Sequence, residues 1–436
     1  MTDVRDIRPR AAATLALLCG MNLLDYIDRN ILAAVLPHIQ AEMGLSSLQA
    51  GALGPAFLIA YTAFAPFMGW AGDRYNRTRL LVLGVGLWSL ATVGAGFAGT
   101  YGHLVLARSL LGIGEVTYGT LAPTILADVY PRSRRGQVLS VFYLAVPVGS
   151  ALGYVLGGLI EPHYGWRAAF WVVGGPGLVA ALSGLFLREP RRGAMDGVEE
   201  ADGVVSIQAP AHVSWRDYRV LRHNRSYVYN VLGMALMTFA LGGLALWMPT
   251  YFHRIKGMTL QEANLWIGPL TVGAGLLGTM TGGWLADRLL QRTPGAYFLV
   301  SGCGMLLATP CALVALLAAA PTVYLPAMFI AECCLFLNTG PCNAILVNVV
   351  HPAMRSTAFA INIFLIHVLG DIWSPIAIGA IDDATGGNLT AGMLLTVGAI
   401  GGSGMLFLRG MRYLEQDQRA ALRWGHDTLP AQGEMP

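Results

Sequence analysis

The sequence predicts an all-α polytopic membrane protein with twelve transmembrane helices in two six-helix halves. Three observations predict this. Of the 436 residues, 55% are hydrophobic and only 12% are charged, about half the charged share of a soluble domain. The apolar residues gather into about twelve runs, each near the roughly 20 residues that cross a bilayer. The motifs that close the runs of the first half recur six runs later.

The first span, near 11–37, contains Asn22-Leu23-Leu24-Asp25-Tyr26-Ile27-Asp28-Arg29-Asn30. At the centre of a spanning helix each Asp or Arg costs roughly 2.5–3.5 kcal/mol on insertion scales. Three of them must therefore face protein or water. Asp25 and Arg29 stand at i, i+4 with Asp28 on the turn between, so all three project within about 100° of one another. One face of the first helix is an ionic site. The segment before it is polar and bears Arg5, Arg8 and Arg10. The apolar run is too long for a signal-peptide core and has no small-residue cleavage site, so this helix is expected to stay in the mature protein.

The second span, near 47–72, ends in Gly69-Trp70-Ala71-Gly72-Asp73-Arg74-Tyr75-Asn76-Arg77; the eighth, near 260–286, ends in Gly283-Trp284-Leu285-Ala286-Asp287-Arg288-Leu289-Leu290-Gln291-Arg292. The third span lies near 79–99. The fourth, near 102–129, carries Arg108 and Glu115 on nearly the same face, two turns and about 10 Å apart. After it comes Tyr130-Pro131-Arg132-Ser133-Arg134-Arg135, echoed after the tenth span by His351-Pro352-Ala353-Met354-Arg355-Ser356. In the fifth span, near 135–160, Gly149, Gly153, Gly157 and Gly158 would let a neighbouring helix approach closely. The sixth lies near 166–187.

A long polar stretch then divides the chain into an N-terminal half (1–187), a linker (188–223), a C-terminal half (224–412) and a tail (413–436). Within the linker, Trp215 to Arg222 reads either as a short helix on the membrane surface or as a solvated connector. The remaining spans are placed near 224–252, 296–318, 322–349, 354–381 and 389–411. They are poorer in charge: the polar residues at membrane depth are Glu332, Asn338, Asn343, Asn348, Asn362, His367 and Asp371.

Twelve spans put both termini on one side. The N-terminus, the loops after even-numbered spans, the linker and the tail hold 23 Arg, against Arg167, Arg254 and Lys256 on the other side. The positive-inside rule makes both termini cytoplasmic. The single Lys among so many Arg hints at a GC-rich genome and hence at a bacterium, so the expected location is the plasma (inner) membrane. The six cysteines all fall in apolar runs without metal-ligand spacing, and read as small packing residues.

Parallel six-span repeats are the signature of a secondary transporter that rocks two halves about a central site. A channel needs no matched loops in both halves. A lipid-modifying membrane enzyme would need a catalytic set, and the chain has no H-E-x-x-H and no G-x-S-x-G.

The two loop motifs, and the Arg followed by a Gly-rich run in the fourth span, resemble the major facilitator superfamily over essentially the whole chain. Within it the chain is similar to the Spinster family of lipid transporters. The matching residues are Asp28-Arg29, Gly72-Asp73-Arg74-Tyr75-Asn76-Arg77, Arg108-Ser109-Leu110-Leu111-Gly112-Ile113-Gly114-Glu115, Ala122 to Asp128, Phe142-Tyr143, Pro147 to Ser150, Gly370-Asp371 and Ser374-Pro375. Asp25 departs from the pattern, where Asn is expected, and adds a second carboxylate. The resemblance implies proton-coupled export or redistribution of an amphipathic lipid with a charged head, such as a lysophospholipid or sphingosine phosphate. A drug or organic-anion exporter of the same fold is the rival reading.

For the charged set two roles compete. Either a buried carboxylate takes a proton when its Arg partner moves away, or the groups are fixed ion pairs that lock helices. The functional reading assigns Asp28, Glu115 and Arg108 to proton coupling and Arg29, Asp25, Asn338 and Asn343 to substrate binding. Asp73, Arg74, Arg77, Arg134, Asp287, Arg288 and Asp371 are expected to gate, the loop residues as latches in which Asp73 meets Arg132, Arg134 or Arg135. His367 either titrates or packs by hydrogen bonding. The expected partners are a small amphipathic or anionic substrate, protons and the bilayer, with a monomeric chain. No nucleic acid, cofactor or metal is expected.

Overall fold

A computed structural model describes residues 4–130, 138–139, 141–191, 217–350 and 354–427. The regular elements among these residues are all helices. Ten helices among them are long and apolar enough to cross a membrane. One is α5 (Ala145–Gly184), which is broken at Gly165, where φ is 76°. Its first arm runs beside α1 (Val4–Met43) in the same direction, with Gly149 against Leu23 and Tyr26 and Gly157 against Ala34. Its second arm returns, with Gly174 against Thr92 and Val93 and Gly184 against Val82 and Met21. The fifth and sixth expected spans are thus one folded helix. A further long helix, α7 (Leu260–Leu290), supplies the eighth.

The elements divide into two compact units. The first comprises residues 1–205, 245–272 and 375–389, and holds α1, α2 (Ser47–Arg74), α3 (Arg77–Ala95), α4 (Tyr101–Val129) and α5. It also takes the last turns of α6 (Arg225–Arg254), the start of α7 and most of α12 (Ser374–Ala384). Side chains that close the orphan N–H groups mark where helices begin: Ser46 and Gln49 form a capping box on α2, Asn76 caps α3 and Thr100 caps α4. The core of this unit gathers Leu18, Met21, Phe57, Val85, Trp88, Leu111, Tyr118 and Phe142, with Trp88 edge-on to Tyr118 at 5.3 Å. Lipid gives helices no hydrophobic drive to associate, so close backbone packing must hold them. Gly84 and Gly114 accordingly face each other's helices, and a Cβ at either would strike the other's carbonyl oxygen.

The second unit comprises residues 206–244, 273–374 and 390–436. Its described elements are a 3-10 turn (Asp217–Arg222), most of α6 and α7, α8 (Ala296–Leu317), α9 (Pro321–Phe336), α10 (Thr339–Val349), α11 (Arg355–Ile366), α13 (Leu389–Gly410) and α14 (Leu414–Asp427). The 3-10 turn lies where the linker was read as surface helix or connector; Trp215 and Arg216 fall outside the described residues. Helices α9 and α10 together make the tenth span. The eleventh is α11 and α12 joined through a π-helical turn, His367–Asp371. Asn224 caps α6, and Asp417 of α14 accepts the Ser226 N–H at 2.7 Å.

Candidate functional site

The ionic face of α1 meets α4 inside the first unit. Arg29 donates Nε–H to Glu115 Oε2 at 2.6 Å, and its Nη2 lies 3.5 Å from Asp25 Oδ2 on its own helix. The guanidinium is ringed by aromatics: its Cζ is 4.7 Å from the Tyr26 ring centre, 5.0 Å from Phe57 and 5.6 Å from Tyr61. Phe57 also underlies Arg108, 5.3 Å away. Such faces attract cations out of water. Asp28 is turned away from Arg29 and accepts the Thr92 hydroxyl of α3 at 3.1 Å.

Exposure separates these groups. The side chains of Asp25 and Glu115 are 4% and 0% exposed, whereas that of Arg29 is 26% exposed. Arg29 is therefore the most open charged group of this set, and the two carboxylates are more deeply buried. Several buried polar atoms have no hydrogen-bond partner among the described residues: Asp25 Oδ1, Asp28 Oδ1, Glu115 Oε1, and Arg108 Nε and Nη1. Three carboxyl groups face two guanidiniums, so the cluster is one positive charge short of balance when every group is ionised. A buried charge left unbalanced is costly, and a proton removes the imbalance.

The expected latch residues lie at the basic end of this unit. Arg77 is buried and donates to Asp128 at 2.7 Å and Glu189 at 2.8 Å. Glu189 in turn accepts the Thr78 N–H at 2.8 Å and the Thr78 hydroxyl at 2.9 Å, so it also closes the N-terminus of α3. Burial pushes the Glu189 carboxyl up, but the bonds from Arg77 and Thr78 outweigh it and hold it below its usual value. Arg74 is exposed and lies over Trp70 at 4.8 Å. The Asp73 side chain, and Arg132, Arg134 and Arg135, fall outside the described residues.

In the second unit, Asp287 accepts the Tyr297 hydroxyl at 3.0 Å and Arg288 lies over Trp284 at 5.7 Å. Asn338 is fully buried, with its amide turned back on the Cys334 and Leu335 carbonyls and its Oδ1 without a partner. Asn343 is exposed and bonds to the Thr339 carbonyl. Asp371 pairs with His367 Nδ1 at 2.9 Å across the π-helical turn. The structure thus groups Asp25, Asp28, Arg29, Arg108 and Glu115, while Asn338, Asn343 and Asp371 belong to a different unit. Among the described residues no three His, Cys, Asp or Glu side chains group to hold a metal ion.

Sequence reasoning missed Thr92, the ring of Tyr26, Phe57 and Tyr61, and the roles of Asp128 and Glu189. Only Glu189 carried a signal: it is the acid among Arg188, Arg191 and Arg192 just past the sixth span.

An all-helical membrane bundle with an ionic site in the middle of its first and fourth helices is the architecture of a transporter, and residues 18–375 match the model of the Major Facilitator Superfamily. The chain belongs to that superfamily and is a transporter rather than an enzyme. It is 36% identical to human protein spinster homolog 1 over 445 residues, covering 94% of this chain and 83% of the relative. To zebrafish protein spinster homolog 3 it is 34% identical over 444 residues, covering 94% and 87%. Within the superfamily the chain belongs to the Spinster family. Among solved structures, it superimposes on a bacterial homologue of the human lysosomal transporter Spinster, in an inward-facing and unoccupied conformation, with a TM-score of 0.79 at 23% identity, covering 95% of this chain and 98% of the other.

Proposed function

We propose that this chain is a proton-coupled secondary transporter that moves an amphipathic anionic lipid, such as a lysophospholipid or sphingosine phosphate, by alternating access. The observation that carries the reading is the position of Arg29, partly exposed in front of two buried carboxylates. Its planar fork suits a phosphate or carboxylate. An anion that takes the guanidinium leaves Glu115 or Asp25 without its partner, and a desolvated carboxylate without a partner gains a proton. Anion binding and protonation are thereby linked. Asp28, held by a neutral hydroxyl, and Arg108 make up the rest of the cluster, which one proton brings to balance. The two six-helix halves are the moving bodies, with Asp73, Arg74, Arg77, Arg134, Asp287, Arg288 and Asp371 as gating residues and Asn338 and Asn343 as substrate contacts from the C-terminal half. The chain works as a monomer in the inner membrane of a bacterium, both termini cytoplasmic.

The test is flux through purified protein in liposomes, comparing a fluorescent lysophospholipid with a non-lipid organic anion, with and without an imposed pH gradient. Movement of the lipid, accelerated by the gradient, is the expected result. Movement of the non-lipid anion alone would replace this reading with that of an organic-anion exporter.

A further inference from the structure

The first unit closes its other end, away from Arg77, with a second network that the loop motifs do not include. Ser47, Leu48 and Asp383 meet there: the Ser47 and Leu48 N–H groups each donate to one oxygen of the Asp383 carboxylate at 2.8 Å. With Ser46 and Gln49 in their capping box, the opening N–H groups of α2 from Ser46 to Gln49 are all satisfied. Beside them the Ser47 hydroxyl donates to Asp382 Oδ2 at 2.5 Å. Arg254, the last residue of α6, donates to both oxygens of the same carboxylate at 2.9 and 3.4 Å, and to the Gly387 carbonyl at 3.3 Å. Asp382 is 2% exposed and Arg254 31%, so the carboxylate end of this two-pronged pair is desolvated.

Beneath the network the backbones of α2 and α12 touch. A Cβ on Gly379 would strike the Ser47 carbonyl, and one on Gly51 would strike the Pro375 carbonyl. The arrangement parallels the basic end, where Glu189 closes the N-terminus of α3 while an Arg–Asp pair, Arg77 and Asp128, stands beside it.

We infer that Arg254, Asp382, Asp383 and the N-terminus of α2 form a latch, which holds the ends of α6 and α12 against α2 and must open once in each transport cycle. The inference rests on the alternating-access reading above. A glycine seam gives no attraction at longer range, so once the backbones part nothing in the seam draws them back. The ionic contacts supply that pull. An Arg–carboxylate fork and a carboxylate on a helix N-terminus are broken and remade without a change of covalent or protonation state, which suits a part that cycles.

The test places spin labels at His163→Cys on α5 and Ala384→Cys on α12 in a cysteine-free background, and measures the distance distribution without substrate or pH gradient. Asp382→Asn and Arg254→Gln should each raise the long-distance share about tenfold relative to the short one, the loss of one charged contact. The exposed Asp383→Asn should act in the same direction without disturbing a buried group. The swap Arg254→Asp with Asp382→Arg should return most molecules to the short distance. Unchanged distributions in all three single variants overturn the latch, as does a swap no shorter than the singles. Because the readout needs no flux, a negative result leaves the transport reading standing. A positive one survives even if the substrate is not a lipid.

Discussion

Arg29 and Glu115 lie 86 residues apart in the chain and meet at 2.6 Å, closer than Arg29 comes to Asp25 one turn earlier on its own helix. The local pair is the one a helical wheel shows; the tighter pair is made by packing. It ties α1 to α4, with the Arg29 side chain still 26% exposed.

Replacing Arg29 separates its charge from its shape. Arg29→Lys keeps a cation against Glu115 but loses the fork, and transport should fall at least about tenfold while the protein still purifies folded. Arg29→Ala should abolish transport. Combining Arg29→Ala with Asn at Asp25 and Asp28 should not rescue anion binding. Normal affinity in that triple variant, measured by calorimetry, would mean that Arg29 only neutralises the aspartates.

Glu115→Gln and Asp28→Asn keep shape and remove the two proposed proton sites. Each should eliminate the extra accumulation that a pH gradient drives and leave substrate exchange without a gradient within about threefold of the parent, since exchange needs no net proton movement. Full gradient response in both variants would move the coupling site to Asp25, Asp371 or His367.

Gly112 tests whether the aromatic bed matters. A Cβ there would strike the Phe57 carbonyl and crowd the Tyr61 N–H, so Gly112→Ala should push α2 off α4 and carry Phe57 from beneath both arginines. Overpacking of this kind costs about 1–3 kcal/mol. The melting temperature should drop and transport with it. Gly94→Ala, where nothing lies within 4 Å, should melt at the same temperature or higher.

The Glu189 side chain, bonded to Arg77 and Thr78, predicts an acid-side effect with a defined sign. Its carboxyl is held below the usual value in the folded protein. Its stabilising contribution is therefore present at neutral pH and is lost as pH falls from the ordinary glutamate value through the lower folded-state one. Glu189→Gln should lower the melting temperature at pH 7, and the gap from the parent should narrow as the pH is taken down through the lowered folded-state value. A gap that stays constant with pH would assign the loss to packing.

The parts of this molecule legible in sequence are those that rest on one helix at a time. Charges at 25, 28 and 29 must share a face because helical spacing puts them there, and Arg108 and Glu115 two turns apart likewise. Apolar run length reports the spans because the bilayer has a fixed thickness. What decides between helices was not legible. Thr92 is one hydroxyl among several in an apolar span, and only its register against α1 makes it the partner of Asp28. Phe57 and Tyr61 look like ordinary apolar residues until α2 is laid beside α1. Asp382, Asp383 and Arg254 sit at chain positions far from Ser47, and no spacing rule joins them.

Gly165 has a consequence for how the chain is made. The two arms of α5 are joined by a short polar turn, Glu161 to Arg167, with Gly165 at positive φ followed by Trp166 and Arg167, which hold Glu42 at 2.7 and 2.6 Å. A residue that straightened the backbone at this point would make one helix of 40 residues with Glu161, His163 and Arg167 at its middle, where one crossing uses about 20. Those groups would then be drawn to membrane depth, where charge is costly. The turn at Gly165 is what lets both arms be apolar while the polar residues between them stay at a surface.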